Sequence, residues 1–219
     1  TGVGRVAIVD DGGMYGGGLA DLVAAAAARR GVTVVARQTV PDGQVDAAAL
    51  AASGADGVVV AMTPSTGGVG VAQAVHAALP SALIFSGDAM AQDSVAKRLG
   101  AVQKVMRLTA PAAHMNPRAA AGFGLDAQAS SPFVVFSYNA TMAVLNATRR
   151  ASDHGPVTRA SVRSAVFDGS LVPGLSGPWQ VQPNGDGVVG VFDELRMERG
   201  RVLTPGHMAA RKLRVCGTK

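Results

Sequence analysis

The chain has a single cysteine, Cys216, among its 219 residues. That excludes an intramolecular disulfide and a cysteine-based zinc cluster, and it leaves the redox compartment open. Histidine is scarce too: His76, His114, His154 and His207 lie far apart and share no metal spacing such as H-x-x-x-H, so no metal is expected. Aromatic residues make up 4%, with one tryptophan and two tyrosines, so the interior must be built from small and β-branched side chains. No apolar run approaches the roughly 20 residues of a membrane-crossing helix. No signal-peptide pattern stands at the start, and the chain opens at Thr1 almost directly on a strand, as expected of a processed or trimmed product. No internal repeat is present.

Apolar residues at 48% and charged residues at 16% make a globular composition, long enough for one large domain or two small lobes. The net charge of +5 raises the question of nucleic acid. The basic residues are scattered, however, apart from "TRR" at 148–150 and the tail "ARKLRVCGTK". Neither has interleaved aromatics for base stacking, and no helix-turn-helix or zinc-finger spacing occurs, so no nucleic-acid partner is expected.

Strand and helix patterns alternate along the first half. "GRVAIVD" at 4–10 reads as a buried parallel strand, and 15–30 as a helix with basic residues in its last turn and Gly31 as its stop. Strands are expected at "VTVVARQTV", "DGVVVAM", "SALIFSG" and "QKVMRLTA", with helices at 45–53, 70–79 and 90–99. This spacing predicts an α/β fold with a parallel sheet. From Pro117 to Val166 the pattern is helical. Its strongest element is "SPFVVFSYNATMAVLNATRRAS", capped by Ser130 or Ser131, with apolar residues on more than one face. "TRASVRSAV" is a second helix, and "PWQVQ", "VVGVFDELRM" and "RVL" read as hairpin strands.

The glycine-rich stretch "VAIVDDGGMYGGGLADLV" at 6–23 suggests a phosphate loop, but the residues argue against one. Glycines at 12, 13, 16, 17 and 18 fit no register of G-x-G-x-x-G. Leu19 and Ala20 stand where a P-loop needs Lys and Ser or Thr, and Asp10 and Asp11 would repel phosphate. The C-terminal ends of parallel strands are still where open α/β sheets bind ligands. There the sequence gathers Asp10, Asp11, Tyr15, Thr63, Ser65, Thr66, Ser86 and Asp88. Two readings of these polar groups stand side by side. Asp11, Ser65 and Asp88 either cap turns and helices, Asp88 serving the helix near Met90, or face a ligand. Tyr15 is harder to explain structurally, because glycines flank it where a ligand can approach the backbone. Ser86 and Ser176 lack a nucleophile-elbow context, and Cys216 has no histidine within eight residues, so no catalytic residue is expected.

Four stretches together resemble a family. They are "VAIVDDGGMYGGGLADLV", "PDGQVDAAALAASGADGVVVA", "FSYNATMAVLNATRRA" and "GLSGPWQVQPNGDGVVGVFDELRMERGRV". In order and spacing they are similar to the type I periplasmic binding proteins, in the leucine/isoleucine/valine-binding branch, with Asn139 where an Asp is usual. The resemblance implies a three-layer parallel-sheet lobe with a helical remnant of the other lobe. Residues 1–110 and 176–203 would form the second lobe, 117–167 the returning part of the first, and 204–219 a basic tail. The first lobe's opening half has no counterpart in this sequence.

The resemblance further implies an extracellular or periplasmic receptor component of an ABC importer, membrane-associated through a region outside this chain. It would be no enzyme and carry no cofactor, closing two lobes on an amino acid or similar small polar ligand. Tyr15 would cover the ligand, Asp88 receive its ammonium, and Thr63 add a contact from the third strand's end; Ser65 and Asp11 stand at the same edge. Implied partners are the ligand, a membrane permease, and either the missing N-terminal half-lobe or a second copy, against which the 131–152 helix would dock. Two rivals remain: a sensor domain of a receptor kinase or regulator on the same fold, and a small α/β enzyme with Asp10, Asp11 and Asp88 around a metal.

Overall fold

The structure is a computed structural model that describes residues 2–111, 117–124, 132–175, 177–187, 191–203 and 213–214. The chain divides into two compact units, Thr1–Ala110 with Asp193–Arg211, and Pro111–Phe192 with Lys212–Lys219.

Unit 1 is built from β1 (Arg5–Asp10), α1 (Met14–Arg29), β2 (Thr33–Thr39), α2 (Ala47–Ala52), β3 (Gly57–Ala61), α3 (Gly68–Ala78), β4 (Leu83–Ser86), α4 (Asp93–Leu99), β5 (Met106–Pro111), β6 (Val191–Glu198) and β7 (Arg201–Leu203). The strand order is β2-β1-β3-β4-β5-β6-β7. Strands β1 to β5 run parallel, and β6 and β7 pair antiparallel through the Arg199–Gly200 turn. The architecture is thus α/β with a mostly parallel sheet, as the spacing predicts.

Every residue of β3 and the last five of β1 are buried, because parallel strands are covered on both faces. Alternate residues sort the two cores. Val6, Ile8, Val59 and Ala61 pack with Ala20 of α1 on one face. On the other, Ala7, Val9, Val58 and Val60 meet Leu50 of α2, Val71 and Val75 of α3, and Val95 and Leu99 of α4. After β1 the chain therefore turns to one face, and after β3 to the other. That divergence makes β1/β3 the switch point of the sheet, the place at whose C-terminal strand ends open α/β sheets bind ligands.

One expected helix start shifts. The helix expected over 90–99 begins at Asp93, because Asp88–Met90 closes instead as a 3-10 turn with the Ala91 N–H on the Asp88 carbonyl. Helix α1 ends where expected, with Gly31 in the left-handed conformation at φ 70°.

Unit 2 holds α5 (Pro117–Gly122), α6 (Pro132–Asp153) and α7 (Arg159–Val166), followed by an extended loop. Thr158 caps α7 with a reciprocal box: its hydroxyl accepts from the Ser161 N–H, and Ser161 Oγ accepts from the Thr158 N–H. Helix α6 buries Val135, Asn139, Ala143, Ala147 and Ala151, a stripe spaced four apart, and leaves Phe133, Val134, Val144 and Leu145 exposed. The expected cap at Ser130 or Ser131 lies outside the described residues.

The expected strand "PWQVQ" contributes only single bridges, Val172 to Trp179 and Val181 to Gly187. Pro173 and Pro178 sit beside the first bridge, and neither has an N–H to extend a ladder. Residues 177–187 cluster with unit 2 rather than with unit 1. The basic tail expected over 204–219 lies outside the described residues, apart from Leu213–Arg214.

Candidate functional site

Three loops of unit 1 meet at the C-terminal edge of the sheet: 11–13 after β1, 62–67 after β3 and 87–92 after β4. The first loop turns sharply. Gly12 sits at φ 69°, and a Cβ there would stand 2.9 Å from Thr39 Cγ2, so glycine is required. Asp11 Oδ1 accepts from the Gly13 N–H at 2.9 Å and closes an Asx turn into α1. Gly16, in the first turn of α1, presses on the Asp11 carboxylate and the Ala61 carbonyl with no room for a Cβ. These contacts fix the start of α1 against the end of β3, and with it Tyr15.

Tyr15 reaches across to the third loop. Its hydroxyl donates to Asp88 Oδ1 at 3.3 Å, while the Ala89 N–H donates to the phenol oxygen. Partial burial pushes the Tyr15 phenol above the ordinary tyrosine value, the Asp88 charge and the hydrogen bond to Asp88 add to this, and the Ala89 N–H pulls the other way. Gly87 makes the approach possible, since a Cβ at that position would stand 2.7 Å from the Tyr15 hydroxyl oxygen. Tyr15 is 41% exposed.

The other expected positions behave differently. Thr63 caps the short 3-10 turn Pro64–Thr66: its Oγ1 accepts from the Thr66 N–H, and Thr66 Oγ1 accepts from the Thr63 N–H. Ser65 Oγ lies 2.8 Å from Thr63 Oγ1. Three hydroxyls thus cluster at the edge, each with an internal partner. Ser86 is buried and donates to the Val60 carbonyl at 2.7 Å, stitching β4 to β3.

Asp10 is buried, 1% exposed, and points toward β2. Its carboxylate accepts from Arg37 Nε at 2.9 Å, from the Gly12 N–H at 2.9 Å and from Thr39 Oγ1 at 3.4 Å. The rival metal set of Asp10, Asp11 and Asp88 does not converge, and among the described residues no three His, Cys, Asp or Glu side chains do. Cys216, His114, His207 and Ser176 lie outside the described residues. Sequence reading did not single out Arg37 or Gly87, and it named Gly16 only as one of the glycines around Tyr15. The signal was slight: a lone charge inside "TVVARQT", and a glycine immediately before a strand-end acid.

Asn139, noted where the resembled family usually has Asp, is a buried structural tie in unit 2. Its Oδ1 accepts from the Leu175 N–H at 2.9 Å. Among the described residues no helix is long and apolar enough to cross a membrane.

The sequence model of the periplasmic binding protein family matches residues 1–190, and the chain belongs to that family. The family is periplasmic or extracellular and, in general, not enzymatic. Solved structures share the fold. One is a leucine-binding protein from Thermotoga maritima, with 18% identity, a TM-score of 0.74, and coverage of 93% of this chain and 60% of that one. Another is an ABC transporter substrate-binding protein from Desulfitobacterium hafniense in complex with Leu, with 18% identity, a TM-score of 0.66, and 93% and 60% coverage. A third is an extracellular ligand-binding receptor from Rhodopseudomonas palustris, with 16% identity, a TM-score of 0.72, and 92% and 63% coverage. The chain therefore spans about three fifths of the length of these proteins. No curated protein sequence matches it.

Proposed function

We propose that this chain is the ligand-holding part of an extracellular or periplasmic solute-binding protein, the receptor component of an ABC importer, for an amino acid or a similar small polar molecule. The observation that carries the reading is the Tyr15–Asp88 pair at the C-terminal edge of the parallel sheet, beside its switch point. A carboxylate with a phenol on one oxygen keeps acceptor capacity for an ammonium group, and such charge-assisted bonds are about twice as strong as neutral ones. Tyr15 supplies an apolar ring to cover the ligand and a hydroxyl to fix its amine. Thr63 and Ser65 offer neutral hydroxyls along the same edge, and Asp11 shapes the loop. The descriptions of two relatives, one leucine-binding and one solved with Leu, support the ligand class and make leucine the first probe. A permease partner follows from the importer role. The exposed apolar residues of α6 support a protein contact for unit 2, either with a further segment supplying first-lobe structure or with a second copy.

The test is Asp88→Asn in the full-length protein, titrated with leucine and a panel of amino acids by calorimetry. Asn keeps the size and an acceptor but loses the charge. Affinity for the amine ligand is expected to fall at least about tenfold, or about 1.4 kcal/mol, with stability held. Unchanged affinity removes Asp88 from the site. Separately, hydrolysis of generic esters, phosphates or peptides that disappears on mutating Asp10 or Asp11 would overturn the non-enzymatic reading.

A further inference from the structure

We propose that Arg37 is a positioning residue for the ligand-facing loop: acting through the buried Asp10 carboxylate, it fixes the glycine turn that carries Tyr15. The geometry stands by itself, and its consequence for binding rests on the ligand reading above.

The two oxygens of Asp10 face different structures. Oδ2 takes the donors of β2, Arg37 Nε at 2.9 Å and Thr39 Oγ1 at 3.4 Å. Oδ1 takes the Gly12 N–H at 2.9 Å. One carboxylate therefore joins the last residues of β2 to the turn between β1 and α1. The turn leaves little freedom once that joint is set. Gly12 is left-handed and packed against Thr39, Gly13 bonds Asp11, and Tyr15 follows two residues later in the first turn of α1.

Arg37 also ties the far side of the same helix. Its Nη1 donates to Asp21 on α1, so one guanidinium holds the joint at Asp10 and a point two turns along α1. The planar fork suits this double role, and an ammonium on a single point does not. A carboxylate as buried as Asp10 requires a partner. Without Arg37 it loses its one charged partner and must swing toward water. That movement shifts the acceptor of the Gly12 N–H, and the displacement passes to Tyr15. A role confined to stability would weaken the fold and leave the Tyr15 environment as it is.

The phenol reports the difference. In a Tyr138→Phe background Tyr15 is the one tyrosine of the chain, and its ionisation can be followed by ultraviolet absorbance. Its titration lies above that of free tyrosine because of burial and Asp88. Arg37→Ala and Asp10→Asn are expected to bring it back toward the free value. Arg37→Lys should restore it in part. Asp21→Asn leaves the Asp10 bond intact and should leave the titration unchanged. Urea unfolding in parallel records stability. If Arg37→Ala does not fold, the near-isosteric Asp10→Asn decides. A variant that is destabilised while Tyr15 titrates as in the parent overturns the positioning role. In full-length protein Arg37→Ala and Asp10→Asn should lose about fivefold or more in leucine affinity, and Asp21→Asn should not. If the parent binds no amino acid while the titration shift persists, the ligand assignment falls and the positioning role stands.

Discussion

Alanine at position 87 would perturb the candidate site through one side chain alone. The Gly87 backbone lies at φ −86° and ψ −174°, a conformation any residue adopts, so no strain enters through the main chain. The added Cβ would stand 2.7 Å from the Tyr15 hydroxyl oxygen and 3.6 Å from Leu19 Cδ2. The leucine contact is ordinary. The phenol contact is not, and the ring must retreat by the better part of an ångström. Its bond to Asp88 is already 3.3 Å long, so that retreat ends it.

Stability is a poor readout of this change. A hydrogen bond to a charged group is worth about 1.5–3 kcal/mol, but Tyr15 is 41% exposed and water replaces the lost partner, leaving roughly 0.5–1 kcal/mol. Replacing Gly by Ala returns about 0.4–1 kcal/mol by restricting the unfolded chain. The two nearly cancel, and the expected net shift is within about 0.5 kcal/mol. The phenol titration does not cancel. Tyr15 is raised in the fold, so its contribution is complete below the ordinary value of about 10 and is lost as pH rises through the folded value. Outward displacement weakens burial, the Asp88 charge and the Asp88 bond together. In the Tyr138→Phe background, Gly87→Ala should therefore titrate nearer free tyrosine and lose less stability at alkaline pH. A titration curve identical to that of the parent refutes the claim that Gly87 admits Tyr15 to Asp88.

Three further outcomes are expected. Gly16→Ala forces a Cβ onto the Asp11 carboxylate and the Ala61 carbonyl, and should cost about 1–3 kcal/mol in urea unfolding; a change below about 0.5 kcal/mol contradicts the packing. Asn139→Ala strands the buried Leu175 N–H and should cost about 1–3 kcal/mol by the same measurement, with a neutral result showing that the loop finds another acceptor. Asp56 accepts from the Gly4 and Arg5 N–H groups, which hold its carboxyl below the ordinary range. The advantage of the parent over Asp56→Asn should be full above the unfolded value of about 4, vanish as pH falls through the folded value, and is disproved by a gap that does not vary with pH.

Much of unit 1 was legible because its signals are local. The runs "RVAIVD" and "GVVVA" are continuously apolar, as strands covered on both faces must be, and each ends in a loop rather than in alternation. Gly31 announced the end of α1, and the left-handed backbone there shows why. The 3-10 turn at Asp88–Met90 was not legible, since three residues carry too little periodicity to separate it from the helix that follows. "PWQVQ" misled through strand propensity. What limits it is the pair of prolines beside the bridge, whose effect depends on which segment lies opposite.

The candidate site divides along the same line. Three acids, Asp10, Asp11 and Asp88, stand at strand ends and look alike in sequence. Register separates them. Parallel pairing sets Asp10 opposite Thr39 and beside Arg37, 27 positions away, so its charge is neutralised inside the fold and shapes a turn. Asp11, one residue on, has left the strand and folds back on the Gly13 N–H, a role that the glycines after it foreshadow. Asp88 sits on another strand's loop, where the side-chain partner is a half-exposed phenol and where glycine, one residue earlier, keeps the backbone low. No composition or motif distinguishes these fates, because each follows from what the sheet brings alongside. Asp88, whose side-chain partner is neutral, keeps acceptor capacity for a cation, and so the proposed ligand reading rests on Asp88 and Tyr15 together rather than on the glycine-rich stretch.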